Sequence, residues 1–169
     1  MCQIFYNHLN ESRVDTLNSF INGRHIPYAI FNFGIYKMDP DLTREELNNQ
    51  LMAKLWIWTI SENNAFLFLE FKIGISDSSA YGVYNKENSE TAFFKKGFED
   101  DLGIGIPFWP KYVYHDSLLV DYQDAYKIID VINRPLKEID DTKSSQPFKG
   151  LYKLQETSNP VLILLNSDK

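Results

Sequence analysis

Apolar and polar positions follow two periods along this chain, and each period predicts its own elements. Over 65–75 the period is two: Leu67, Leu69, Phe71, Ile73 and Ile75 fall on one face of a strand, and Phe66, Phe68, Glu70 and Lys72 on the other. The first end of that segment is apolar on both faces, which predicts cover on both sides there and water on one side toward Lys72. Residues 56–60 precede it across the polar turn Ser61-Glu62-Asn63-Asn64, the pattern of a β-hairpin. Residues 80–85 follow after Asp77-Ser78-Ser79, so three consecutive antiparallel strands are expected. Further strands are expected at 2–6, at 27–36, at 111–115 as an edge strand, and at 161–165 behind Pro160.

The second period is helical. Val14, Leu17 and Ile21 form a stripe behind Ser12 and Asp15, with Asn22-Gly23 as a stop. Thr43 and Glu46 have capping-box spacing ahead of Leu47, Leu51 and Leu55. Asn88 or Ser89 is placed to cap a helix carrying Phe93, Phe94, Phe98 and Leu102, with Gly103 ending it. Asp116 is placed to cap the clearest stripe, which holds Leu118, Leu119, Tyr122, Ala125, Tyr126, Ile129 and Ile132, with Pro135 beyond. Residues 138–147 are polar loop. Helices and hairpins mix without βαβ alternation. The expected fold is therefore α+β: one domain over 1–169, an antiparallel sheet of about five strands with helices packed on one face.

Composition narrows the function classes. The chain has 169 residues and 15% aromatic side chains, including 10 Tyr and 12 Phe, which is ample for a core. Its net charge of −6 argues against a broad nucleic-acid surface, which a basic balance would mark. Cys2 is the single cysteine, so no internal disulfide forms. No signal-peptide pattern opens the chain, and no apolar run reaches membrane-span length, so a cytoplasmic protein away from the membrane is expected.

Few groupings carry chemistry. His8, His25 and His115 are scattered, and no Cys/His cluster points to zinc. His115-Asp116-Ser117 holds a triad's residue types, but sequence neighbours do not converge as a triad does, and Asp116 is better used as a cap. Gly103-Ile104-Gly105-Ile106-Pro107 lacks the Gly-Lys-Ser/Thr ending of a phosphate loop. The stretch Phe108-Trp109-Pro110-Lys111-Tyr112 sets a Trp between two prolines. Exposed, it would suit a protein-binding hot spot formed by Phe108, Trp109, Lys111 and Tyr112; packed inward, it is a plug against the last helix. The acidic runs Glu99-Asp100-Asp101 and 138–141 suit solvated ends or a basic partner.

Glu70 and Lys72 project from the same strand face. They make either a surface ion pair or a catalytic pair, and they resemble the E-x-K half-motif of the PD-(D/E)xK nuclease superfamily. In that family an upstream Asp and the Glu hold Mg²⁺, while the Lys steadies the attacking water. Here the preceding strand reads Leu-Trp-Ile-Trp-Thr-Ile over 55–60 and has no Asp, leaving Glu62, Asp39 or Asp41 as substitutes. Residues 65–134 also resemble the accessory C-terminal region of bacterial members of that superfamily, with Phe108-Trp109-Pro110-Lys111-Tyr112 as the marker. That resemblance implies a non-enzymatic accessory module beside nucleases in prokaryotic or phage defence systems, binding a protein partner and needing no cofactor. Two alternatives stay open. One is a divergent nuclease with Glu70 and Lys72 catalytic and Glu70 on Mg²⁺. The other is an acidic immunity or anti-defence inhibitor.

Overall fold

The computed structural model describes residues 3–5, 16–37, 43, 45–46, 54–74, 78–99, 105–133 and 149–167. Its architecture is mostly β. The strands are β1 (Gln3–Phe5), β2 (Thr16–Ile21), β3 (Arg24–Ile30), β4 (Leu55–Glu62), β5 (Phe66–Ile73), β6 (Ser79–Asn85), β7 (Glu90–Phe94), β8 (Tyr112–Tyr114), β9 (Leu118–Gln123) and β10 (Val161–Asn166). They form three sheets, ordered β1-β2-β3, β4-β5-β6-β7 and β10-β9-β8. Among the described residues one full α-helix appears, α1 (Ala125–Ile132). The expected single sheet with helices on one face is therefore corrected to three sheets and little helix. The reason is visible at three turns.

The first turn is Asn22-Gly23. Both residues take positive φ, 50° and 77°, and Ile21 pairs with Arg24. This is the two-residue primed turn whose twist suits a hairpin, so the dipeptide read as a helix stop joins β2 to β3 instead. Leu17 and Ser19 point inward two apart, a strand period that the apolar spacing of Val14, Leu17 and Ile21 had hidden. The second turn is 86–89, where Asn88 accepts from the Glu90 amide at 3.1 Å and Ser89 has φ 59°. It folds β7 back on β6, pairing Asn85 with Glu90 and Tyr81 with Phe94, where a helix was expected. The third is His115-Asp116, again both at positive φ, 48° and 64°. Asp116 caps no helix. Its carboxylate accepts from the Asn64 amide and side chain at 2.6 and 2.5 Å, and the chain continues as β9. Only the second half of the expected helix, α1, is helical, and Asp124 precedes it.

The strands expected at 56–60, 65–75, 80–85, 111–115 and 161–165 are present as β4, β5, β6, β8 and β10. The expected strand at 27–36 breaks into β3 and a 3-10 turn at Gly34–Tyr36. The Thr43 box closes and Glu45 and Glu46 are helical, while residues 47–53 lie outside the described residues.

The chain divides into two compact units. One comprises Met1–Thr59 with Glu70–Ala80; the other comprises Ile60–Leu69 with Tyr81–Lys169. In the first, Phe33 meets Phe71 edge-on at 5.9 Å, with Leu17, Ile57 and Phe71 buried. In the second, Phe68, Phe108, Trp109, Leu119 and Ile163 form the core, with Phe66, Tyr81, Val83, Phe98 and Val113 packed on it. Beside that core, α1 buries Ile128 with Leu151 and Leu154.

Candidate functional site

Glu70 belongs to the first unit. It is 9% exposed, and its carboxylate is enclosed by hydroxyls. Ser79 Oγ donates to Oε1 at 2.8 Å and Thr59 Oγ1 donates to Oε2 at 3.3 Å. These donors come from β6 and β4, the strands on either side of β5, so the sheet itself builds the cradle. Lys72 Nζ lies 3.9 Å from Oε1 and 5.8 Å from the centre of the Trp58 ring. The expected side-by-side placement of Glu70 and Lys72 is therefore present, as a loose ion pair at a partly buried strand end.

The other groups that a metal site would need lie elsewhere. Glu62 pairs with Lys86 at 3.0 Å, and Asp39 and Asp41 lie outside the described residues. Among the described residues, no group of three or more His, Cys, Asp or Glu side chains converges. Of the histidines, His25 packs on Phe20 and His115 on the Tyr114 ring; His8 lies outside the described residues, as does Cys2.

The Trp109 segment belongs to the second unit and points inward. Phe108 and Trp109 are 3% and 4% exposed. The Trp109 ring stacks on Phe98 at 5.2 Å and meets Phe68 edge-on at 6.1 Å. Phe98 and Phe108 exchange both backbone hydrogen bonds at 2.8 Å, and Ser61 Oγ donates to the Pro110 carbonyl at 2.7 Å. Burial removes Phe108 and Trp109 from any contact surface. The plug reading holds, though the partners are sheet residues and not the last helix.

Lys111 is also committed within the fold, to a residue that sequence reasoning passed over. Asp121 is 0% exposed and sits where an apolar residue is expected in Leu-Leu-Val-Asp-Tyr-Gln. Lys111 Nζ approaches its carboxylate at 2.7 Å, Gln123 Nε2 donates at 2.9 Å and the Trp109 amide at 3.2 Å. The ammonium also lies 4.1 Å from the centre of the Tyr122 ring and donates to the Tyr122 carbonyl at 2.9 Å. A buried carboxylate needs such a set, because an unpaired charge there costs several kcal/mol. The sequence signal was the period: Leu119 and Asp121 alternate inward only if 118–123 is a strand.

Alternation then sends Leu118, Val120 and Tyr122 to the opposite face of β9. The register sets Tyr122 opposite Leu162, Val120 between Leu164 and Tyr112, and Leu118 between Asn166 and Tyr114. Tyr112 and Tyr122 stack at 6.5 Å. On this outward face Tyr112 is 62% exposed, Leu162 64% and Leu164 57%, and Tyr114 and Tyr122 are exposed beside them. Of the four residues expected to bind a partner, Tyr112 alone stands on an open surface.

No family model matches the chain, and no curated protein is similar to it. Its fold is similar to the crystal structure of a predicted exported protein from Bacteroides fragilis, with a TM-score of 0.58 and 18% identity. The match covers 90% of this chain and 44% of the other, so the chain spans less than half the length of that neighbour. At that identity the likeness speaks for the fold. The expectation of a cytoplasmic, nuclease-like defence protein stands against that neighbour, which is named as an exported protein. Among the described residues, no helix is long and apolar enough to cross a membrane.

Proposed function

We propose that this chain is a non-enzymatic protein-binding module whose contact surface is the outward face of the β10-β9-β8 sheet. One observation carries the reading. Tyr112, Tyr114, Tyr122, Leu162 and Leu164 stand exposed on adjoining cross-strand positions of one face. Burying a side chain of that size is favourable by about 1.5–3 kcal/mol, and Tyr is among the residues enriched where protein contacts are strongest. Lys111 stiffens the face by setting its ammonium over the Tyr122 ring, 4.1 Å from the ring centre. The other two readings receive less from the geometry. Both oxygens of Glu70 accept from hydroxyls. The acidic runs that an inhibitor would present lie, apart from Glu99, outside the described residues. Association with defence machinery rests on the resemblance of residues 65–134 alone. The exported neighbour of similar fold supports a partner met outside the cytoplasm.

A photo-crosslinking side chain placed at Leu164 tests the reading in cells. Discrete protein adducts at that position, absent from a probe at Glu156 and lost when Tyr112→Ser and Leu162→Ser are added, are the expected result. Equal labelling at both positions would remove the face from consideration.

A further inference from the structure

The outward face ends at a strand edge. β10 is the last strand of its sheet, and among the described residues it pairs with β9 alone. Its sequence, Val-Leu-Ile-Leu-Leu-Asn, has no charge, no Gly and no Pro. Folded proteins usually blunt such an edge with a lysine, a proline, a bulge or a covering segment, because its open N–H and C=O groups template another strand. Over Val161–Leu165 the sequence holds no lysine and no proline, and the β9–β10 register runs without a shift.

We infer that the partner of this surface is a second copy of the chain, joined edge to edge through antiparallel β10–β10 pairing. The inference rests on the reading of the outward face as a protein-binding surface. Symmetry selects the occupant. An edge strand paired antiparallel with its own copy obeys a two-fold axis normal to the sheet, so the assembly closes at two chains and cannot grow into a filament. Such an axis keeps the outward face of one copy beside that of the other. Pairing about Ile163 sets Leu162 opposite the partner subunit's Leu164, so the two exposed leucines of each copy cover those of the other. It also aligns the two Tyr-bearing faces into one six-stranded surface. Charge agrees: each chain carries −6, yet β10 contributes none of it, so the copies meet at an uncharged strip. Main-chain pairing supplies the affinity and the leucines the register, as in β-strand addition generally.

The test is sedimentation of the full chain from about 1 to 500 μM, a range that brackets a dissociation constant in the micromolar decades, beside the single variant Leu164→Lys. A mass of twice 19.7 kDa at the upper end is expected. Leu164→Lys, with unchanged circular dichroism and melting temperature, should weaken the association at least tenfold. Hydrogen exchange gives a second reading that needs no variant: the β10 amides that point away from β9 should be protected at high concentration and exchange faster on dilution, while those bonded to β9 stay protected. A chain monomeric throughout overturns the inference, and so does a dimer unaffected by Leu164→Lys whose β10 amides exchange alike at all concentrations. If the monomer still gives discrete foreign adducts from position 164, only self-pairing has failed. If it gives none, the binding reading has failed with it.

Discussion

Glu70 was singled out by chemistry, and its surroundings assign it a structural part. Its carboxylate satisfies Ser79 and Thr59 from the two neighbouring strands while Lys72 stands at 3.9 Å, partly in water. An ion pair so placed contributes little, whereas two hydroxyls left unpaired in a buried site cost more. Glu70→Ala is expected to lower unfolding stability by about 1–3 kcal/mol in urea titrations, and Glu70→Gln, whose amide oxygen still accepts, by less than half of that. A neutral Glu70→Ala would mean that the cradle is solvated. Glu46 allows a pH test at the same scale. Hydrogen bonds from the Thr43 hydroxyl, at 2.6 Å, and the Thr43 amide hold its carboxyl below the ordinary value. A depressed folded value means that the box stabilises above the unfolded carboxyl pKa and is lost as pH falls through the folded one. Thr43→Ala should move the Glu46 midpoint upward in a carboxyl NMR titration. An unmoved midpoint would show the box open in solution. The capping box was legible because it is local, needing only a spacing of three; the Glu70 cradle was not, because its donors are 11 and 9 residues away.

At the scale of elements, the errors share a cause. Segments apolar on both sides, such as 14–21 and 118–132, satisfy a helical stripe and a strand alternation at once. Turn backbone decides between them, and positive φ at Asn22, Ser89, His115 and Asp116 chooses hairpins each time. The residue types were in view, but Asn-Gly and Asp also end or begin helices. Trp109 shows the complementary problem: a Trp between prolines carries no signal of which way it faces. The bridge that turns it inward has a narrow tolerance at Gly97. A Cβ there would come 2.5 Å from the Phe108 carbonyl oxygen. Gly97→Ala should therefore part Phe98 from Phe108, lower stability by about 1–3 kcal/mol as overpacking does, and red-shift the Trp emission as the plug loosens. Unchanged stability would mean that the Phe98–Phe108 bridge adjusts without cost.

At the scale of the whole molecule, charge and edge act in opposite directions. A chain of net charge −6 repels its copy at long range, while β10 presents an uncharged strip at contact. Screening shortens from about 30 Å at 0.01 M salt to about 8 Å at 0.15 M, so added salt should tighten the self-association severalfold by sedimentation. Weakening on added salt would point to an interface held by ion pairs. By itself the sequence determined the positions of β4, β5, β6, β8 and β10, the Thr43 box and the pairing of Glu70 with Lys72, because each follows from period or spacing within about ten residues. Only the tertiary structure decided that three sheets replace one, that Asp121 and Trp109 face the core, and that Tyr112 shares an outward face with Leu162 and Leu164. Those facts depend on strand registers between residues as far apart as Leu118 and Asn166, and no local pattern carries a register.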